Sequence, residues 1–169
     1  MSREILFKAK TTKKDNPKHE FNEKWVEGNL ILCGEKVYIH PISNKFKTTG
    51  EIGRIIVLHE VIPDTLCQFT GLTDKNGKKI WENDILRGHA NNEDLAKVIF
   101  GEFKVIDVET LEAVDNCVGW HTGVIETDTL SKCEPFCLSM PLTNFYIKRS
   151  EFEIIGNIFD NPDLLEVEK

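Results

Sequence analysis

The chain lacks any apolar run near the roughly 20 residues that a membrane-spanning helix needs. Its opening, Met1-Ser2-Arg3-Glu4, also lacks the apolar stretch of a secretory signal, so a soluble protein of a reducing, intracellular compartment is expected. Cysteine is sparse, five residues in 169. That odd number is far below the density of a stapled secreted domain, which favours free thiols. G-x-S-x-G, H-E-x-x-H, the Walker A loop and G-x-G-x-x-G are all missing. Nothing local therefore points to a serine hydrolase, a zincin or a nucleotide-binding enzyme. Low-complexity linkers and internal repeats are absent too, and with 40% hydrophobic and 29% charged residues a disordered or fibrous chain is excluded.

Basic residues are in deficit, 21 Lys and Arg against 28 Asp and Glu, a net of −7. A protein that covers a phosphate backbone with its whole surface is thereby disfavoured, although a local patch is not. Lys8, Lys10, Lys13, Lys14 and Lys18 crowd the N-terminal stretch, and acids gather after Glu151. Such asymmetry suits nucleic acid at one end, solubilising charge, or a head-to-tail contact between copies.

What is present is a series of short period-two or continuously apolar runs broken by Gly, Asn, Asp and Pro, the pattern of a mainly β fold without long helices. Ile5 and Phe7 begin a first strand, and residues 11–19 read as a loop. Residues 25–32 and 37–42 flank Cys33-Gly34-Glu35-Lys36 as a hairpin. The β-branched series 52–62 should end at Pro63, which donates no ladder hydrogen bond. Asn76-Gly77 suits a type I′ hairpin turn with positive φ at both central residues, and Asn83 suits a left-handed turn or bulge. Asn92 is placed to cap a short turn, and residues 98–108 suggest a second hairpin around Gly101-Glu102. A strand is expected over 118–125, and closing strands over 145–147 and 152–159. Asn161-Pro162-Asp163 then starts a short C-terminal helical turn over 162–167.

Candidate chemistry is thin. Cys117-x3-His121 followed by Cys133-x3-Cys137 offers three thiolates and an imidazole for zinc, yet the x3 spacing departs from the usual Cys-x2-Cys knuckle. Buried free cysteines explain the same residues more simply. Glu82 and Asp84, with His121, are candidates for metal-dependent hydrolysis, but turn chemistry around Asn83 suits the two acids better. His59 beside Glu60 reads as an ordinary strand histidine, since neighbours on a strand point to opposite faces. Asp74-x-Asn76-Gly77 superficially matches a calcium loop, but the frame puts Leu72 and Asn83 where charged ligands are needed. Trp25, Trp81 and Trp120 with Tyr38 and Tyr146 would serve as core or as base-stacking rings.

The segment from Val61-Ile62-Pro63-Asp64-Thr65 through Gln68-Phe69-Thr70-Gly71-Leu72-Thr73-Asp74-Lys75-Asn76-Gly77 to Trp81-Glu82-Asn83-Asp84-Ile85 resembles the central motif of the YopX family of phage and prophage proteins. Residues 152–165, with Gly156-Asn157 and Asp160-Asn161-Pro162-Asp163, are similar to that family's closing motif. Residues 3–9 are similar to its opening. Where the family commonly has Glu-Gly-Asp, this chain has Glu82-Asn83-Asp84, and Asn keeps the left-handed option. The resemblance implies a small β-rich accessory protein of the bacterial cytoplasm, encoded by a phage or prophage. No cofactor or enzymatic activity comes with it, and no catalytic residue carries over. The partner would be a host or phage protein, with self-association implied and nucleic acid as the alternative. Thr70, Gly71, Asp74, Asn76, Gly77, Glu82, Asn83, Asp84, Gly156, Asn157, Asn161 and Pro162 are then structural motif residues. The expected organisation is an N-terminal hairpin region, 1–62, and a region 63–169 that forms a small SH3-like barrel or curled sheet, the two being continuous or separate.

Overall fold

A computed structural model of the chain describes residues 4–12, 24–42, 57–107, 109–110, 112–133 and 137–165. Contacts divide the chain into two compact units, Met1–Phe69 and Thr70–Lys169. Both are built on antiparallel sheet. Among the described residues no sheet closes into a barrel, so of the two alternatives for the architecture the curled sheet is the one found.

In the first unit, strands β1 (Phe7–Lys10), β2 (Trp25–Cys33), β3 (Lys36–Pro41) and β4 (His59–Glu60) pair in the order β4-β3-β2-β1, and β1 also pairs with the start of β5 (Cys67–Thr73). Alternation decides which face is covered. Ala9, Ile39 and Val61 are buried with Phe7, Val26, Val37 and Leu66 packed against them. The side chains between these positions take the other face. The β2–β3 hairpin turns at Gly34-Glu35, as the sequence predicts, with Gly34 at φ 60°. Val61 bridges Thr11, and a turn over Pro63–Thr65 follows at once, so the strand stops at the proline as anticipated. Thr65 pins that turn: its hydroxyl donates to the Ile62 carbonyl at 2.8 Å and accepts from the Lys10 amide at 2.9 Å. Residues 52–56 and most of the loop over 11–19 lie outside the described residues.

The second unit starts with the latter part of β5, which forms a hairpin with β6 (Lys79–Trp81). A five-stranded sheet follows, in the order β10-β9-β8-β7-β11, from β7 (Asp84–Arg87), β8 (Leu95–Ile106), β9 (Ala113–Val124), β10 (Met140–Pro141) and β11 (Glu153–Asn157). Its main core joins Ile80, Leu86, Val98, Leu142, Ile147 and Phe152, and a second cluster joins Ile85, Leu95 and Ile125.

Three expectations need correction here. The Asn76-Gly77 hairpin is real, but only Gly77 has positive φ, at 79°, and the Gly77 amide donates to the Asp74 carbonyl at 3.0 Å. This is a turn centred on Lys75-Asn76 followed by a left-handed glycine, the three-residue hairpin arrangement rather than type I′. Residues 98–108 form no hairpin. Strand β8 runs straight through Gly101-Glu102, with Gly101 opposite Gly119, and its partner is the equally long β9. The chain reverses after Ile106 instead, where the Asp107 carboxylate accepts from the amides of Glu109 and Thr110. Those two bonds hold the Asp107 carboxyl below the ordinary carboxylate range. Finally, residues 145–147 are helical, within α1 (Asn144–Arg149). Thr143 explains the difference: its hydroxyl accepts from the Tyr146 amide at 3.1 Å, and that N-cap overrides the strand preference of Phe-Tyr-Ile.

Smaller features follow the same chemistry. Asn83 takes the left-handed conformation at φ 64°, as predicted. Asn91 rather than Asn92 caps the polar turn, accepting from the Glu93 amide, whereas Asn92 accepts from Arg87 Nη1 at 2.7 Å. The closing strand and the terminal turn over Pro162–Leu165 fall where expected.

Because Gly77 has open space around a would-be Cβ, only its backbone conformation resists substitution. Gly77→Ala should therefore cost about 1 kcal/mol and Gly77→Asn clearly less. Urea unfolding midpoints of the two variants check this, and equal costs would contradict it.

Candidate interaction surface

Thr70, Asp74, Asp84, Asn157 and Asn161 bond to backbone through their side chains. Asp74 is 5% exposed, and its Oδ1 accepts from the amides of Asn76 and Lys78, both at 2.9 Å. Its Oδ2 accepts from the Ile154 amide at 3.2 Å, eighty residues away on β11. The Lys75 amide donates to the Phe152 carbonyl beside it. One buried carboxylate thus closes a turn and ties that turn to the last strand. Thr70 donates to the Ile80 carbonyl and accepts from the Leu72 amide, closing the same hairpin around Gly71, whose φ is 84°. Asp84, buried at the start of β7, accepts from the Trp81 amide at 2.8 Å, which spans the Glu82-Asn83 turn.

The closing motif follows the same principle. Asn157 Oδ1 accepts from the amides of Phe159 and Asp160, and Asn161 Oδ1 accepts from the Asn157 amide. Gly156 has to be glycine for space, because a Cβ there would lie 2.3 Å from Asn161 Oδ1. The β7–β11 register shifts at this point, between Ile154 and Gly156. Pro162 opens the terminal turn.

Ion pairing reinforces the tie between hairpin and β11. Glu153 Oε1 accepts from Arg87 Nε at 2.8 Å and from Arg87 Nη2, and its Oε2 lies 3.1 Å from Lys75 Nζ. Arg87 first, then Lys75, holds the Glu153 carboxyl below the ordinary carboxylate range. Nothing in the sequence signals this pairing, since 66 residues separate Arg87 from Glu153.

Candidate metal ligands are distributed otherwise. Cys117 and His121 are on β9, where His121 is buried, stacks on Phe103 at 4.9 Å, and has Nδ1 3.2 Å from the Gly119 carbonyl. Cys133 follows a short turn, donating its thiol to the Thr129 carbonyl, and the Cys137 amide donates to the Cys133 carbonyl. Among the described residues, no three His, Cys, Asp or Glu side chains are grouped to hold a metal ion. His59 lies on β4 opposite Ile39. Trp81 is buried, whereas Trp120 is half-buried against the main core and meets Phe100 edge-on at 4.9 Å.

A long ribbon is formed by β8 and β9. β7 pairs with β8 only over Leu95 to Lys97, with Asn83 bonding once more at Val98. β10 pairs with β9 at His121 and Thr122, and Leu142 bonds at Trp120. Beyond those points both outer edges of the ribbon are without a strand partner among the described residues. Free edges of this kind present unpaired amides and carbonyls to another chain. Phe100, Val114 and Val118 are 52%, 63% and 72% exposed there. The outer ribbon also carries Glu102, Asp107, Glu109, Glu112 and Asp115 against the single base Lys104. Misreading Gly101-Glu102 as a turn hides this feature, although the alternation continuing past Gly101 is its sequence signal.

The YopX protein family model matches residues 17–166, nearly the whole chain. The chain therefore belongs to the YopX family. The opening stretch 3–9 precedes the matched residues. No curated protein matches the chain. No helix among the described residues is long and apolar enough to cross a membrane.

Asp74→Ala removes the acceptor of three backbone amides and should cost about 3 kcal/mol in urea unfolding, where a typical surface substitution costs under about 0.5. Glu153 gives a pH signature. Its carboxyl titrates lower in the folded than in the unfolded chain, so its contribution is present above the unfolded value and is lost as pH falls through the folded one. Glu153→Gln should flatten the acid limb of the stability profile as pH falls below the ordinary carboxylate range, and an unchanged limb would contradict the pairing.

Proposed function

We propose that this YopX-family protein is a phage- or prophage-encoded accessory protein of the bacterial cytoplasm that acts by binding rather than by catalysis. The observation that carries this reading is the outer β8–β9 ribbon, where two strand edges without partners among the described residues flank exposed Phe100, Val114 and Val118. A protein partner adds a strand there, main-chain bonds supplying affinity and the alternating side chains supplying selection. The buried, backbone-bound state of Asp74 and Asp84 supports it further, since these acids are committed to turns.

Capture from a bacterial lysate tests it, using immobilised wild type and the double variant Phe100→Ser/Val118→Glu, each with and without nuclease. Both substitutions lie at exposed positions, so the variant should melt within a few degrees of wild type. A host or phage protein retained by wild type through nuclease treatment, and depleted at least tenfold on the variant, is the expected result. Identical retention by both proteins overturns the ribbon as the site.

A second reading, nucleic-acid binding, draws on a different observation. Lys8 Nζ and Lys10 Nζ lie 5.1 and 5.8 Å from the centroid of the Trp25 ring.

A further inference from the structure

We infer that the first unit's sheet binds single-stranded nucleic acid on the face opposite its core, Lys8 and Lys10 taking phosphate and Tyr38 and His40 taking bases. This deepens the second reading above and is independent of the ribbon.

The strand register places these groups. Lys10 is opposite Trp25, Asn29 opposite His40, and Ile31 opposite Tyr38, so all of them share one face. Directly paired residues of an antiparallel ladder project on the same side, while the alternate positions Ala9, Val26 and Ile39 build the core on the other. Trp25, Tyr38 and His40 are half-buried, with part of each residue open to solvent. His40 and Tyr38 are two residues apart, roughly 7 Å along β3, and Trp25 lies about 14 Å from His40 by strand geometry. Rings spaced along a sheet with cations beside them form the platform on which unpaired bases stack without sequence preference.

Charge separates the two units in sequence. Residues 1–69 carry 11 Lys and Arg against 9 Asp and Glu, while residues 70–169 carry 10 against 19. A net of −7 for the whole chain therefore conceals a first unit of opposite sign. The lysine positions matter more than the total. Both ammonium groups are gathered over one indole ring, which orders them before a phosphate arrives. Among the described residues two acids share the face: Glu60 is paired with Lys36 at 3.0 Å, and Glu27 stands opposite Lys8. They keep the patch from being a general polyanion sink. Affinity must then depend on stacking as well as charge, which selects single strands over duplexes whose bases are already paired.

The test uses the full chain with fluorescein-labelled 20-nucleotide DNA and RNA single strands of mixed sequence, and the corresponding duplexes, read by anisotropy between 50 and 200 mM salt. Single strands should bind more tightly than duplexes. Lys8→Gln/Lys10→Gln should lower the slope of log affinity against log salt by about 1.4, two phosphate contacts' worth for a single strand. Tyr38→Ser should weaken binding roughly tenfold with the slope unchanged. Phe100→Ser, in the second unit, should change neither. Should the lysine variant fail to fold by circular dichroism, Tyr38→Ser and a His40→Ser variant decide the matter alone.

No anisotropy change at 50 mM salt overturns both this site and the nucleic-acid reading. Binding that these variants leave intact, or that is equal for duplexes, overturns the site while the broader reading stands. A concentration-dependent dimer abolished by Lys8→Gln/Lys10→Gln, without nucleic-acid binding, would assign the face to an acidic surface of a second copy and likewise overturn the proposal.

Discussion

A single carboxylate organises the second unit. Asp74 closes the β5–β6 turn with Oδ1 and reaches the Ile154 amide with Oδ2, so a local turn and a contact across eighty residues share one side chain. Buried acceptors of three amides are expensive to replace, because removing the oxygen strands every donor at once. The consequence is positional. Strand β11 is placed by the hairpin, β7 pairs with β11, and the β8–β9 ribbon continues from β7. Glu153, one residue before Ile154, binds Arg87 on β7 and Lys75 in the turn, repeating the tie at the surface.

How much of this was legible depends on the range of the interactions. The hairpin at Asn76-Gly77, the left-handed Asn83, the β2–β3 hairpin, the stop at Pro63 and the terminal turn at Pro162 are all set by residues within a few positions of one another, and each appears where predicted. The structure departs from the sequence pattern where local cues conflict. Gly101-Glu102 resembles a turn, but Gly101 sits opposite Gly119, and the cross-strand ladder carries the chain through. Phe145-Tyr146-Ile147 has strand composition, but the Thr143 cap settles it as helix. The type I′ assignment failed at one angle, since Asn76 donates its amide to Asp74 and leaves Gly77 alone with positive φ.

The candidate surfaces were less legible than the fold. Lys8, Lys10 and Trp25 are each visible in the sequence, but their meeting on one sheet face follows from the register of β1 with β2. The ribbon's open edges follow from how little β7 and β10 overlap it, a matter of strand lengths that composition does not encode. The cysteines illustrate the opposite case. Cys117, His121, Cys133 and Cys137 form a group in sequence, while in space His121 is taken up by Phe103 and the Gly119 carbonyl.

The shift in register between Val105 and Ile106 has a consequence for any chain that docks along the ribbon. An extra residue on one strand bends it and increases its twist, so the edge toward the tip curves away from a flat template. Straight, amyloid-like neighbours cannot follow such an edge for more than a few residues, and the acids around it repel others like itself. The ribbon is thereby protected from indiscriminate stacking, and any chain that paired with it would have to match its curvature.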